Sequence, residues 1–271
     1  MTIDERAVAY RDTYNEQLRA RGVTREAAER SGPVVRQLLA GHGGLITYRD
    51  LGGLEGGELD TFIAAQRDHF AALGEEVEWK YHGHDLPADL PERLTAAGFT
   101  AGERETVLVG EAARLAAEPV PPQGVTLREI TSRADLERMR VMEEAVWGYD
   151  HSWLPDVLER ELNGEGDPCV VVVAEAADEI VSAAWMRLHP GTEFASLWGG
   201  STLAAWRGRG IYRALVAHRA RLAVARGVRY LQVDATDDSR PILARLGLLP
   251  VTTTTPYVWK PAADQRERPA G

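Results

Sequence analysis

The arginines and glycines of one short segment could bind a phosphate group. Residues 207–213 read Arg-Gly-Arg-Gly-Ile-Tyr-Arg, after a strand-like stretch at 196–203 and before a helical pattern that Gly227 ends. Glycines let the backbone approach a ligand, and the unpaired N–H groups at a helix N-terminus attract anions. Arg207, Arg209 and Arg213 can add charge-assisted hydrogen bonds. This segment therefore predicts a phosphate-binding loop.

The distribution of charge around the loop favours the same interpretation. The chain has a formal net charge of −10, yet residues 194–233 contain seven arginines and no Asp or Glu. A basic segment in an acidic chain is typical of a local anion site. The acidic surface elsewhere argues against a nucleic acid partner, because it would repel the phosphate backbone.

The segment resembles the acyl-CoA pyrophosphate loop of the GNAT superfamily of acyltransferases, Gln/Arg-x-x-Gly-x-Gly/Ala. It departs from that pattern at Tyr212, which replaces the last Gly or Ala but still offers a backbone N–H. Neither a Walker-type loop nor a Gly-x-Gly-x-x-Gly dinucleotide loop fits it. The resemblance implies acetyl-CoA, or another acyl-CoA, as co-substrate. The implied binding residues are Thr202, Leu203, Arg207, Gly208, Arg209, Gly210, Ile211, Tyr212, Arg213 and Ser239.

The resemblance covers about residues 125–260. We expect a strand at 125–130, helices at 134–146 and 153–162, a hairpin at 169–175 and 180–187, a strand at 229–234 and a short helix within 239–248. By resemblance, the fold is α/β (α+β with a mixed sheet). Its central sheet is flanked by helices and splays between the fourth and fifth strands, where acyl-CoA inserts.

The front half repeats this order of elements faintly. Gly57 and Gly74 are spaced like Gly210 and Gly227, so the halves can be overlaid, but carboxylates at Glu55 and Glu58 replace the arginines. We therefore predict tandem GNAT-like domains. An N-terminal helical segment (1–44) precedes a degenerate domain without a CoA loop (45–117), a Pro-rich linker (118–124), the acyltransferase domain (125–260) and a tail (261–271). The degenerate half either shapes one wall of the acceptor site or is purely structural.

Acyl transfer to an amine needs a base, a polarised carbonyl and a proton for the thiolate. The resemblance assigns the carbonyl to the backbone N–H groups of Thr202 and Leu203. It also places a tyrosine acid four residues before Gly247, where this chain has Leu243. Candidate substitutes are Ser239, Tyr212, Tyr149 and Tyr257, or solvent. Glu193, at the start of the fourth strand, is the candidate base.

Acidic and aromatic residues crowd the segment that resembles the acceptor-binding helix and loop. They are Glu144, Trp147, Tyr149, Asp150, His151 and Trp153. Aromatic faces beside acids suit a cationic amine, although aromatic packing would leave the same pattern. We therefore expect an N-acyltransferase, with acetyl as the acyl group, that acts on a primary amine of a small molecule by direct attack on the thioester. The alternative is a non-catalytic acyl-CoA-binding sensor or interaction module.

Other chemistries have weaker support in the sequence. A single cysteine, Cys169, excludes an internal disulfide and precedes four valines, which indicates core packing. His82 and His84 lie in one short loop, which favours a turn over a metal site. The N-terminus has no signal pattern and no apolar run is long enough to span a membrane, so we expect a cytoplasmic monomer or homodimer.

Overall fold

The computed structural model describes residues 5–19, 28–39, 43–165 and 168–261. The helices are α1 (Glu5–Tyr14), α2 (Gly56–Leu73), α3 (Leu90–Ala96), α4 (Ala112–Leu115), α5 (Arg133–Trp147), α6 (Leu154–Leu162), α7 (Ile211–Ala225) and α8 (Arg240–Leu246). The strands are β1 (Glu29–Ser31), β2 (Val34–Leu39), β3 (Gly43–Tyr48), β4 (Val77–His82), β5 (Thr100–Ala101), β6 (Glu105–Glu111), β7 (Thr126–Ile130), β8 (Cys169–Ala176), β9 (Glu179–Leu188), β10 (Phe194–Thr202), β11 (Tyr230–Ala235) and β12 (Leu249–Trp259).

The chain divides into two compact units. The larger unit comprises Met1–Glu26 and Glu105–Thr254, and the smaller unit comprises Ala27–Arg104 and Thr255–Gly271. These borders differ from the predicted domain borders at 45, 118 and 125, chiefly because β6 pairs antiparallel with β11. The predicted tail lies outside the described residues after residue 261.

The larger unit is a mixed sheet with helices on both faces. Its strand order is β6-β11-β10-β9-β8-β7, and the first part of β12 pairs with the other edge of β6. Along β8, Val170 and Val172 enter the core under α7, whereas Val171 and Val173 enter the core under α5 and α6. A strand with apolar residues on both faces is buried on both sides, which explains the continuous run of valines.

Helix α5 is fixed to the sheet by an ionic network at its first turn. Ser132 caps the helix by accepting a hydrogen bond from the backbone N–H of Asp135. Arg128 of β7 donates to both carboxylate oxygens of Asp135 at 2.9 Å and also pairs with Glu175. The Arg128 guanidinium holds the pKa of the Asp135 carboxyl well below its usual range. The network therefore sets the position of the helix that carries the acceptor loop.

The smaller unit contains the same parallel β-α-β arrangement as the larger one. Strands β3 and β4 pair in parallel at three positions around α2, as β10 and β11 pair around α7. Helix α2 ends at Gly74 in a left-handed conformation, as predicted. Its first turn carries Glu58, whereas α7 has no acid there. Glu58 would repel an anion at the start of α2. This agrees with the prediction that the smaller unit is a degenerate copy without a CoA loop.

Among the described residues, the predicted N-terminal helical segment (1–44) is helical only in its first part. Helix α1 continues into a π-helical turn at Asn15–Arg19, but β1 and β2 form an antiparallel hairpin at 29–39. Gly32, with φ of 57°, and Pro33 make the turn, and Val34 is fully buried. Turn residues followed by β-branched residues favour a hairpin, and this local signal explains why residues 29–39 are not helical.

Candidate active site

The predicted phosphate loop connects β10 to α7. It contains a 3₁₀ turn at Ala204–Trp206 and two glycines with positive φ, Gly208 at 73° and Gly210 at 86°. Gly210 is the N-cap of α7, and no side chain caps this helix end. The first helical bond runs from the Ala214 N–H to the Gly210 carbonyl at 3.0 Å. The N–H groups before Ala214 therefore lie at the loop, where they can donate hydrogen bonds to an anion.

Three arginines surround this helix end. Arg207 Nε donates to the Thr202 carbonyl at 3.0 Å, and the Arg209 guanidinium lies 4.8 Å from the ring centre of Trp206. A Cβ added at Gly210 would lie 3.5 Å from Arg213 Nη2. Within the described parts of the chain, none of these arginines pairs with a carboxylate. The loop thus offers backbone donors and three positive charges to one ligand.

The other four arginines of the basic segment have different roles. Arg221 pairs with Glu118, Arg229 pairs with Glu193, and Arg226 donates to a carbonyl of its own helix. Arg219 is buried. The predicted anion site is therefore confined to the loop and does not extend over the whole 194–233 segment.

Strands β10 and β11 separate beside the loop. They pair in parallel only from Phe194 to Ser196 on β10, although β10 continues to Thr202 and β11 to Ala235. These are the fourth and fifth strands of the sheet counted from β7. The backbone of residues 197–202 is thereby freed from its parallel neighbour, and a slender ligand can reach it.

A glycine bulge shapes β10 at this opening. Gly199 and Gly200 have φ of 66° and 91°, and the register with β9 shifts across them. A Cβ at Gly199 would lie 2.5 Å from the Trp185 ring, and a Cβ at Gly200 would lie 2.5 Å from the Tyr212 ring. Both positions therefore require glycine, for conformation and for space.

A buried carboxylate lies beside the residue after the bulge. Glu143 of α5 is 2 % exposed, and its Oε2 accepts hydrogen bonds from Ser201 Oγ at 2.6 Å and Trp147 Nε1 at 3.0 Å. Its Oε1 is buried without a hydrogen-bond partner among the described residues. Burial raises the pKa of the Glu143 carboxyl, against the lowering effect of the two hydrogen bonds. The Glu143 carboxylate therefore takes up a proton more readily than an exposed glutamate does.

Ser182 supports the strand at the same point. Its hydroxyl, fully buried on β9, donates to the Ser201 carbonyl at 2.6 Å and lies 2.8 Å from Thr202 Oγ1. The sequence pattern indicated Trp147 but not Glu143, Ser182 or Ser201. An acid within an otherwise apolar helix face, with Met139 and Met142 on the same side, was the signal that could have found Glu143.

The acceptor loop after α5 is an aromatic stack. The ring centres of Tyr149 and His151 are 4.5 Å apart, and those of His151 and Trp153 are 6.0 Å apart. His151 Nδ1 lies 3.0 Å from the Tyr149 carbonyl. Because a carbonyl only accepts, Nδ1 is the donor in this hydrogen bond. Trp147 and Tyr149 are 52 % and 59 % exposed, so their faces are open to a ligand.

The predicted acids of this loop are engaged locally. Glu144 accepts from Arg140 at 2.7 Å and from the His151 backbone N–H, and these contacts lower its pKa. Asp150 accepts from the hydroxyl and backbone N–H of Ser152, which lowers its pKa as well. Both carboxylates order the loop and stay ionised.

Of the three predicted catalytic residues, Glu193 lies far from the bulge. Glu193 opens β10, six residues before Gly199 and so about 20 Å away along an extended strand. Its carboxylate binds Gln17 and Arg229, which lower its pKa. Ser239 is the N-cap of α8, with its hydroxyl 3.4 Å from the Thr236 carbonyl. Tyr212 alone contacts the bulge, and burial raises the pKa of its phenol.

Position 243 also differs in its surroundings from an active-site position. Leu243 is fully buried in the core between α7, α8 and the sheet. A tyrosine there would have to displace packed side chains. Leu243 therefore packs in the core at the position where the resemblance predicts a catalytic tyrosine.

Comparison with known proteins finds a family match within this unit. The model of the acetyltransferase (GNAT) family matches residues 136–247, which include most of α5, the bulge, the cationic loop and α8. Residues 136–247 form a GNAT acetyltransferase domain. The predicted enzyme class, an N-acetyltransferase, is confirmed at this level, and the domain supports acyl-CoA-dependent N-acetyl transfer in general terms. No curated protein matches the chain.

Solved structures share the fold over most of the chain. A GCN5-related N-acetyltransferase from Kribbella flavida is 18 % identical, with a TM-score of 0.68, and the match covers 96 % of this chain and 97 % of that one. A tandem GNAT protein from the clavulanic acid biosynthesis pathway is 15 % identical, with a TM-score of 0.63 and coverages of 89 % and 86 %. A conserved protein of unknown function from Staphylococcus epidermidis is 14 % identical, with a TM-score of 0.65 and coverages of 89 % and 96 %.

In the described parts of the chain, no group of three or more His, Cys, Asp or Glu side chains could hold a metal ion. His82 is the last residue of β4, and Asp85, which follows the turn, accepts from the His82 backbone N–H at 2.8 Å and from the Tyr48 hydroxyl at 2.6 Å. No helix of the described ranges combines the length and apolar character that crossing a bilayer requires.

Proposed function

We propose that the protein transfers an acetyl group from acetyl-CoA to a primary amine of a small molecule. The observation that carries this proposal is the arrangement along β10. Its end leads into a cationic helix N-terminus, and its bulge is followed by Ser201, which is hydrogen-bonded to the buried Glu143 carboxylate. One short stretch of backbone thus joins a phosphate-binding loop to a base.

The loop fits the phosphates of acyl-CoA. Gly208 has nothing within 4 Å of an added Cβ, so ligand atoms can approach the backbone there. The α7 N-terminus has neither an acid nor a capping side chain to compete with an anion. Arg207, Arg209 and Arg213 would hold the phosphates. The Leu203 N–H, one of the two predicted carbonyl donors, donates to the Val181 carbonyl at 3.0 Å, so the acyl end is proposed to lie against the β10 backbone of residues 197–202, which is freed from β11.

Glu143 is the proposed base. When bound, acyl-CoA supplies a thioester whose acyl carbon bonds to the amine nitrogen while the carbon–sulfur bond breaks. A protonated amine must first lose a proton, and the free Oε1 of Glu143 can bind the ammonium and accept that proton. A carboxyl with a raised pKa holds the proton better than an exposed one, which matches it to this task.

Tyr212 is the proposed proton donor for the leaving thiolate. Its ring packs against Gly200 at the bulge, and the raised pKa keeps its hydroxyl protonated at neutral pH. Ser239 stays a weaker candidate because its hydroxyl faces Thr236. Glu193 is disfavoured as the base because its carboxylate is committed to Gln17 and Arg229.

The acceptor is proposed to be a compact cationic amine. The exposed faces of Trp147 and Tyr149 offer cation–π contacts, and Trp147 also donates to Glu143. An amine bound against Trp147 would therefore lie near the proposed base. The ordered loop with Asp150, His151 and Trp153 would form the outer wall of this acceptor site.

The test measures free CoA release with a panel of small amines, for wild type, Glu143→Gln and the control Glu137→Gln. Glu137 lies on the same helix but is exposed and pairs with Arg133 and Arg140. We expect Glu143→Gln to lose about 10²–10⁴-fold in kcat/KM, the usual loss for a general base, with unchanged acetyl-CoA affinity. Full activity in Glu143→Gln would exclude Glu143 as the base. Acetyl-CoA binding without turnover of any amine would contradict the proposed enzyme function.

A further inference from the structure

A fully buried arginine lies behind the bulge. Arg219 of α7 is 1 % exposed and is one of the largest fully buried side chains. Within the described ranges it pairs with no carboxylate. Burial lowers the pKa of its guanidinium to about 10, so the group still carries a positive charge at neutral pH. A buried charge without a counterion costs free energy unless its hydrogen bonds are satisfied.

The guanidinium joins the two strands that meet at the bulge. Arg219 Nη1 donates to the Trp185 carbonyl of β9 at 2.9 Å and to the Trp198 carbonyl of β10 at 3.1 Å. Trp185 and Trp198 are direct partners in the antiparallel register, and Trp198 immediately precedes Gly199. Arg219 Nε donates to the Leu215 carbonyl of its own helix at 3.2 Å. The side chain therefore ties α7 to the residue before the bulge on both strands.

The bulge explains why the Arg219 guanidinium is buried at this position. An extra residue in β10 disrupts the ladder, and carbonyls that lose a ladder partner inside a core need another donor. A guanidinium can serve both carbonyls at once because its donors are arranged in a rigid plane. An apolar residue of similar volume would remove both of these hydrogen bonds.

We propose that Arg219 is a positioning residue for acyl transfer, which fixes the Gly199-Gly200 bulge and thereby the placement of Ser201, Thr202 and Leu203. The bulge is held from the α7 side by Arg219 and Tyr212, whereas Glu143 binds Ser201 from the α5 side. Loosening the bulge would move Ser201 away from Glu143. The proposal rests on the proposed function only for its kinetic consequence.

The experiment compares Arg219→Met and Arg219→Lys with the control Arg226→Met, an exposed arginine on the same helix that donates only to its own turn. Amide hydrogen exchange in the unliganded protein is measured at Gly199–Leu203. In Arg219→Met we expect exchange there to rise at least about tenfold, because two hydrogen bonds worth about 1 kcal/mol each are lost. Exchange in β8 and acetyl-CoA affinity should stay unchanged.

In the kinetic arm, kcat should fall about 10- to 100-fold in Arg219→Met with KM for acetyl-CoA changed less than about threefold, as displacement of a positioned group predicts. Arg219→Lys should recover part of the loss, since an ammonium can reach one carbonyl. Exchange at Gly199–Leu203 equal to wild type in both variants would overturn the proposal. So would a kcat loss that Arg226→Met reproduces. If Arg219→Met does not fold, Arg219→Lys decides alone by the same two readouts. Because the exchange arm needs no substrate, its result stands even if no amine is acetylated.

Discussion

The ring of Tyr212 occupies the space that a side chain at Gly200 would need. A Cβ at position 200 would lie 2.5 Å from Tyr212 Cε2, and Gly200 has φ of 91°. Tyr212 is also the residue that replaces the expected Gly or Ala at the end of the loop motif. Tyr212, the residue that departs from the motif, therefore packs against the double glycine of β10. This contact places a phenol at the bulge.

Tyr212→Phe tests the phenol as the proton donor. The variant keeps the ring against Gly200, so folding and acetyl-CoA affinity should not change. We expect kcat to fall at least about tenfold, toward the lower end of the range for loss of a general acid. Because burial raises the Tyr212 pKa above its usual 10, wild type should show no basic limb from this group below about pH 10. An unchanged kcat in Tyr212→Phe would show that solvent protonates the thiolate.

Gly210→Ala should abolish acetyl-CoA binding. Alanine is strained at φ of 86°, and its Cβ would lie 3.5 Å from Arg213 Nη2, within the proposed phosphate cradle. Gly57→Ala, in the first turn of α2 of the smaller unit, is the control, because an added Cβ there meets nothing within 4 Å. Calorimetry should give one site per chain for wild type and Gly57→Ala. Two sites, or equal weakening by both variants, would contradict the assignment of binding to one loop.

Trp206 should contribute to acetyl-CoA affinity only through Arg209. The guanidinium stacked on the indole is held toward the loop, and such a contact is worth about 0.5–1 kcal/mol at an exposed site. Trp206→Ala should therefore weaken binding about two- to fivefold, and Arg209→Ala about tenfold or more. The double variant should bind like Arg209→Ala. Additive losses would indicate that Trp206 touches the ligand itself.

Ser201→Ala should shift the acidic limb of the pH profile to higher pH. The Ser201 hydroxyl stabilises the ionised form of Glu143, so its loss raises the already raised pKa of that carboxyl. A hydrogen bond to a charged group is worth about 1.5–3 kcal/mol, or about one to two pH units. Since the base must be ionised to accept a proton, kcat/KM should fall at a higher pH than in wild type. Ser31→Ala, in the smaller unit, is the control. An acidic limb at the same pH as in wild type would show that ionisation of Glu143 does not control the rate-determining proton transfer.

Local patterns predicted the elements and the loop, but not the contacts that assemble the site. Helix α7 begins at Ile211 and ends just before Gly227 because periodicity, glycine and arginine all act within a few residues. The Glu143–Ser201 hydrogen bond joins residues 58 positions apart, and nothing in either local sequence specifies it. Glu193 was favoured because it begins the fourth strand, yet the strands diverge at the other end.

Local sequence also does not distinguish Arg219 from the loop arginines. In the sequence it is one of seven basic residues in an acid-free segment, and composition alone does not distinguish a loop arginine from one turned into the core. Its position on α7 with Leu215 and Ala220 buried around it was the available clue. Burial of arginine is uncommon, so the sequence favoured a solvent-exposed side chain.

The order of the chain also constrains how the protein can be made or divided. Tyr10 of α1 packs against Tyr230 of β11, with ring centres 5.3 Å apart, while β6 pairs with both β11 and β12. The ribosome therefore releases the smaller unit's strands β1–β5 long before the larger unit can complete its sheet. A single cut in the 118–124 linker would separate the catalytic fragment from α1 and from β6, the strand that lies between β11 and β12. Separate expression of an active half would need a circularly permuted or internally deleted chain.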